Sequence, residues 1–288
     1  MKRNVELSEA DIAGIRRQAH DVRTRFGVDD YVPIANDIRT LLERRGIIIC
    51  EYPFKKNGKS HLDAEIARFV TSGEDLRFIG LNTSLYYDEQ IFALGHELYH
   101  IITRTGQAYD KKNEDVVLER KADRFSAEFL FPGQALEDIV IREFGKKKIA
   151  GVSRQRLLRF IASLQIEWWL PYRSIILRLN EESYITDAML DSLEKINDRD
   201  PASEYSIITR TLDNSVYSML NTQTRTTGIS NGVLDIIVRN YEDGIITYDE
   251  FNEALSIYDK RPEDFGYTYD DEPLDDEDLD MFREEKNS

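Results

Sequence analysis

Cysteine is almost missing from this chain: Cys50 is the only one among 288 residues. A single thiol closes no internal disulfide, so a disulfide-stapled secreted scaffold is excluded. Cys50 also sits in the apolar run "GIIICEY", the setting of a buried structural thiol and not of a reactive one. No apolar run approaches 18 residues, which excludes an ordinary transmembrane helix. The opening "MKRNVELSEADIAGIRR" has none of the apolar stretch that a secretory signal needs, and no repeat of solenoid type is present. These absences lead us to expect a soluble, cytoplasmic protein with no membrane partner.

Positive charge is in deficit, with 38 Lys and Arg against 54 Asp and Glu, for a net charge of -16. Half of that excess lies in residues 270–288, "DDEPLDDEDLDMFREEKNS", where ten acidic residues face two basic ones. Such a run is expected to be a solvated, poorly ordered tail. The acidic body argues against broad, nonspecific nucleic-acid binding. What is abundant points to a folded chain: 41% hydrophobic residues, with 15 Tyr and 13 Phe. The length suits a principal domain with smaller additions.

Periodicity organises the chain. "SEADIAGIRRQAHDVRTRFG" predicts a helix capped by Ser8, and "PIANDIRTLLERRG" a second one that stops at Gly46. The β-rich "GIIICEY" follows, and residues 65–82 predict two strands joined near Ser72-Gly73. A helix is expected over 87–104, with Ile91, Leu94, Leu98, Ile101 and Ile102 on its apolar stripe. Another is expected over 113–131, ending at Pro132-Gly133. From there on the chain reads as helical. Residues 152–196 suggest a helix-turn-helix arrangement, and 197–203 a boundary.

The chemistry concentrates in "GHELYH". His96 and His100 are four residues apart, so a helix places both imidazoles on one face, where they can share a metal ion. Glu97, one position round, can then act on a water held by that ion, which is the logic of the H-E-x-x-H motif. Only four histidines occur in the whole chain, so the pairing is not explained by abundance. A catalytic zinc site needs a third protein ligand. In "EDVVLERKADRFSAEFLFP", Glu119 and Asp123 share one helical face. Glu119 can reach the ion while Asp123 accepts a hydrogen bond from the free nitrogen of a zinc histidine. Spacing alone leaves Glu114 and Glu128 open as ligands too, although neither has a carboxylate four residues on at the right side.

Taken together, "IANDIRTLLERRGIII", "FIGLN", "IFALGHELYH" and "ERKADRFSAEFLFP" resemble the ImmA/IrrE family of zinc metallopeptidases, over roughly the first 135 residues. The resemblance implies an α+β, mostly helical fold: a zincin-like minimal metallopeptidase domain with a small β-sheet, followed by a helical, helix-turn-helix-like part. It implies Glu119 as the third zinc ligand beside His96 and His100, and a transcriptional repressor as the protein substrate. The chain departs from the family at Tyr99, where Gly is usual, at Gly95, where another small residue is usual, and at Ala93, where Thr is common. These departures spare the ligands and bear on packing beside the helix and on cleft shape.

The remaining candidates are weaker. His61, Tyr86 and Tyr87 are nearby groups that can stabilise an oxyanion. His20 reads as structural. "FIGLN" fits an edge strand that receives an extended substrate, or an internal strand. The cations of 142–159 read as a solvated face in preference to a DNA contact. "NYEDGIITYDEF" imitates half an EF-hand but has Arg239 and Tyr241 where carboxylates belong, so calcium is not expected. "WWLPY" reads as core. The expected organisation is a metallopeptidase domain over 1–135, a helix-turn-helix-like region over 136–200, a helical region over 201–268 and the acidic tail from 269. The expected activity is zinc-dependent endoproteolysis of a repressor, relieving repression of stress or mobile-element genes. The competing reading is a non-cleaving regulator that binds a repressor or DNA through its helical half; an intact Glu97 favours the enzyme.

Overall fold

The computed structural model describes residues 7–54, 64–71, 74–105 and 116–268. The acidic tail, His61, Glu114 and the Ser72-Gly73 turn lie outside the described residues. Helix α1 (Glu9–Phe26) begins where the sequence places it. The Ser8 hydroxyl caps the Asp11 amide, Asp11 returns the bond, and Gly27 ends the helix at φ 73°. The second predicted helix is shorter than its pattern. A 3-10 turn at Ala35–Asp37 precedes α2 (Ile38–Glu43), and the chain turns out through Gly46 at φ 69°.

Three strands follow, β1 (Ile47–Tyr52), β2 (Ala64–Thr71) and β3 (Glu74–Asn82). β2 and β3 form an antiparallel pair, and β3 then lies parallel to β1, with Ile49 opposite Ile79. β3 is therefore internal, so "FIGLN" has no free edge to offer a substrate. Against the sheet packs α3 (Tyr87–Thr103), and against α3 packs α4 (Val116–Leu130). The close approach of these helices requires glycine. A Cβ on Gly95 would stand 2.5 Å from Ser126 Oγ, and the Ser126 hydroxyl donates to the Phe92 carbonyl at 2.7 Å.

The helical remainder comprises α5 (Gly133–Phe144), α6 (Arg154–Trp168), α7 (Tyr172–Glu181), α8 (Asp187–Leu193), α9 (Glu204–Leu212) and α10 (Asn214–Leu220). One apolar core runs from Ile15 of α1 to Tyr205 of α9. α6 and α7 meet through a short turn with Trp169 at φ 55°. α7 is buried over most of its length, at Tyr172 and from Ser174 to Leu179, so it offers little surface for reading a DNA groove. Trp168 stacks on Phe131 at 4.2 Å inside the core.

From α10 the chain returns to the sheet. β4 (Gly228–Ile229) pairs antiparallel with β1 and completes the order β2-β3-β1-β4. Helices α11 (Asn231–Glu242) and α12 (Tyr248–Ser256) then enclose a small core of Tyr241, Phe251 and Leu255. Here Tyr241 is buried and Glu250 forms a capping box with Thr247, so packing and capping hold this hairpin. Among the described residues, no helix is long and apolar enough to cross a membrane.

Candidate metal centre

α3 holds His96 and His100 one turn apart, and α4 crosses behind them with Glu119 in its first turn. The three ligand atoms converge. His96 Nε2 lies 3.1 Å from Glu119 Oε2 and 3.2 Å from His100 Nε2. His100 Nε2 lies 3.3 Å from Glu119 Oε1. Ligands on a tetrahedral ion at zinc-type bond lengths stand about 3.3 Å apart. The donor set and its spacing thus fit a small divalent cation. Among the described residues, these three form the only His, Cys, Asp and Glu group with metal-site spacing.

Asp123, one turn beyond Glu119, accepts from the other face of the first imidazole, with Oδ1 3.0 Å from His96 Nδ1. That contact leaves Nε2 directed at the centre, as a ligating tautomer requires. Burial alone would lower the His96 imidazole, but Asp123 and Glu119 outweigh it and hold it up at about 10. The two imidazoles in turn hold the Glu119 carboxyl far below the usual carboxylate range. The carboxylates of Asp123, Glu119 and Glu97 thus set a negative field around the His96 ring. Glu97 is nearly buried beside it, at 8% exposure, about 100° round the helix from His96.

Sequence reading missed Thr105. Arg104 ends α3 at φ 56°, and the chain folds back so that the Thr105 amide donates to the His100 carbonyl at 3.0 Å. This places Thr105 Oγ1 3.0 Å from His100 Nδ1. Thr103 Oγ1 stands 2.8 Å from that hydroxyl and donates to the Tyr99 carbonyl. Each histidine thus has a partner on the nitrogen turned away from the centre. The only trace of this in the sequence is a Thr just past a helix end, which is too common to stand out.

Other candidates lie elsewhere. Tyr86 and Tyr87 sit at the start of α3, about 14 Å along the axis from His96 and about 20 Å from His100. Tyr86 lies under Arg199, and the Tyr87 hydroxyl accepts from Arg39. His20 is exposed and contacts Asp30 at 2.7 Å. Glu128 is engaged with Arg124 and Arg178 in a buried ion cluster. In the basic stretch, Lys147, Arg154 and Arg156 are paired with Glu137, Glu204 and Glu143. Tyr99 is buried, its ring against Phe125 at 5.5 Å and the edge of His100 at 5.8 Å. It fills the core behind the histidines and takes no space from a cleft.

Residues 42–155 match the sequence model of the IrrE N-terminal-like domain, peptidase family M78. Comparison with curated proteins finds no significant match. The matched segment contains α3, α4 and every side chain of the centre described above.

Proposed function

Because residues 42–155 belong to the IrrE N-terminal-like family of metallopeptidases, we propose that this chain is a zinc-dependent endopeptidase. It acts in the cytoplasm and cuts a helix-turn-helix transcriptional repressor, switching on stress or mobile-element genes. The observation that carries the reading is the meeting of His96, His100 and Glu119 with Glu97 alongside. His96, His100 and Glu119 hold the zinc, and Asp123 fixes the His96 ring. Zinc bound there supplies Lewis acidity to the scissile carbonyl and to a water.

The chain's own residues do the rest. Glu97 takes the proton from the attacking water and passes it to the amide nitrogen as the C–N bond breaks. Repressor cleavage is supported by the resemblance of the GHELYH and ERKAD segments, and the buried α7 weighs against a role in reading DNA.

The test is to incubate zinc-loaded protein with the repressor encoded beside its gene, comparing wild type with Glu97→Gln. Wild type should yield repressor fragments, and the variant should lose at least 100-fold in cleavage rate while retaining zinc. Equal relief of repression by both proteins with no fragment formed would make this a binding regulator instead.

A further inference from the structure

The two helices that carry the ligand atoms are each tied by buried charge to a part of the chain beyond the family match. On α3 the tie is Asp88, which is fully buried. Its Oδ1 accepts from Arg199 Nη2 at 2.7 Å and its Oδ2 from Gln165 Nε2 at 3.2 Å. Gln165 Oε1 in turn accepts from the Tyr205 hydroxyl at 2.8 Å. Arg199 also donates to Asn221 at 2.8 Å, and its guanidinium lies 4.2 Å over the Tyr86 ring. On α4 the tie is Arg120 with Arg124. Arg120 is bonded to Glu181, and Arg124 reaches Glu181 at 2.7 Å and Glu182 at 2.5 Å. Gln165, Glu181, Glu182, Arg199 and Tyr205 all follow residue 155, where the match ends.

We propose that Asp88 and Arg199 are positioning residues for the metal centre, through which the helical segment 156–221 sets the angle of α3 against α4. The inference rests on the metal-binding reading above. Its physical basis is leverage: His96 lies eight residues, about 12 Å, along a rigid helix from Asp88, so a tilt of about 5° there moves it about 1 Å. Metal coordination tolerates about 0.2 Å. A buried ion pair stabilises a fold poorly compared with apolar packing, but displacing one partner leaves the other charge uncompensated, which resists a change in their relative position. Two such ties, one on each ligand helix, suit a device for orientation.

The test uses full-length protein and cobalt(II), whose visible absorption reports coordination geometry. Asp88→Asn and Arg199→Lys are each compared with wild type well below their melting temperatures, with His96→Ala as the site control. Folded variants should bind cobalt at least tenfold more weakly, with an altered visible spectrum. Loss of melting temperature with wild-type affinity and spectrum would mean that the tie serves stability alone, overturning the proposal. Should Asp88→Asn fail to fold, Arg199→Lys, which keeps the charge and loses the planar fork, decides the question. Wild type that takes up no cobalt, or His96→Ala that binds it equally, would overturn the metal-binding reading and this proposal together. Cobalt uptake by wild type with unaltered variants overturns only the positioning role.

Discussion

Each histidine of the centre has its second nitrogen occupied, His96 by Asp123 and His100 by Thr105. A hydroxyl accepts less strongly than a carboxylate, so the two rings are not equally braced. Thr105→Val removes the His100 partner while keeping the shape. We expect zinc affinity to fall about tenfold, measured by competition with a chelator, and Thr105→Ser to restore most of it. Glu119→Ala should cost far more, leaving zinc occupancy after dialysis near zero. Undiminished occupancy would exclude Glu119 as a ligand. At this scale the sequence exposes only part of the centre. His96 and His100 face one way because helix geometry fixes positions four apart, and Asp123 follows Glu119 by the same rule. Thr105 depends on a left-handed residue at the helix end, Arg104, and no spacing rule reveals it.

Among the elements, the contact between α3 and α4 matters most, because the ligands come from both. Gly95 permits it. Gly95→Ala would push a methyl to 2.5 Å from Ser126 Oγ and 3.3 Å from Ser126 Cα. The helices must part, at a cost of about 1–3 kcal/mol. Denaturant unfolding should show that loss, and the double variant with Ser126→Ala should recover some of it, because the nearest atom is then gone. The other elements differ in how plainly the sequence showed them. Capping residues and β-rich runs placed α1, β1, β2 and β3 to within a residue or two. The second helix came out short, with its first turn 3-10, and β4 was not foreseen at all. A two-residue strand such as Gly228–Ile229 has no periodicity of its own and exists only because β1 offers it an edge.

Across the whole molecule, ion clusters join what the sequence separates. Arg16 of α1, Arg124 of α4 and Glu182 after α7 meet in one of them. Burial pulls the Glu182 carboxyl upward, but hydrogen bonding from Arg16 and the charge of Arg124 prevail and hold it at about 2. A carboxyl held below its unfolded value binds fewer protons in the folded state. Its stabilisation is therefore complete above the unfolded value of about 4.5 and is lost as pH falls towards about 2. The melting temperature should decline across that acid window, and Glu182→Gln should flatten the decline while lowering the melting temperature at neutral pH.

The sequence by itself determined what depends on neighbours along the chain: the capped helices, the strand runs, two imidazoles on one face with Glu97 beside them, and a carboxylate pair on the next helix. Tertiary structure decided what depends on distance. It brought Glu119 to within 3.3 Å of both histidines and drew Glu128 away into an ion cluster. It turned Tyr99 into the core, placed β3 inside the sheet and tied Asp88 to Arg199 across 111 residues. The reason is physical. A helix repeats itself every 3.6 residues whatever surrounds it, so spacing fixes a face. Which faces then meet is set by close packing and by pairing of buried charge, and these are properties of the whole core.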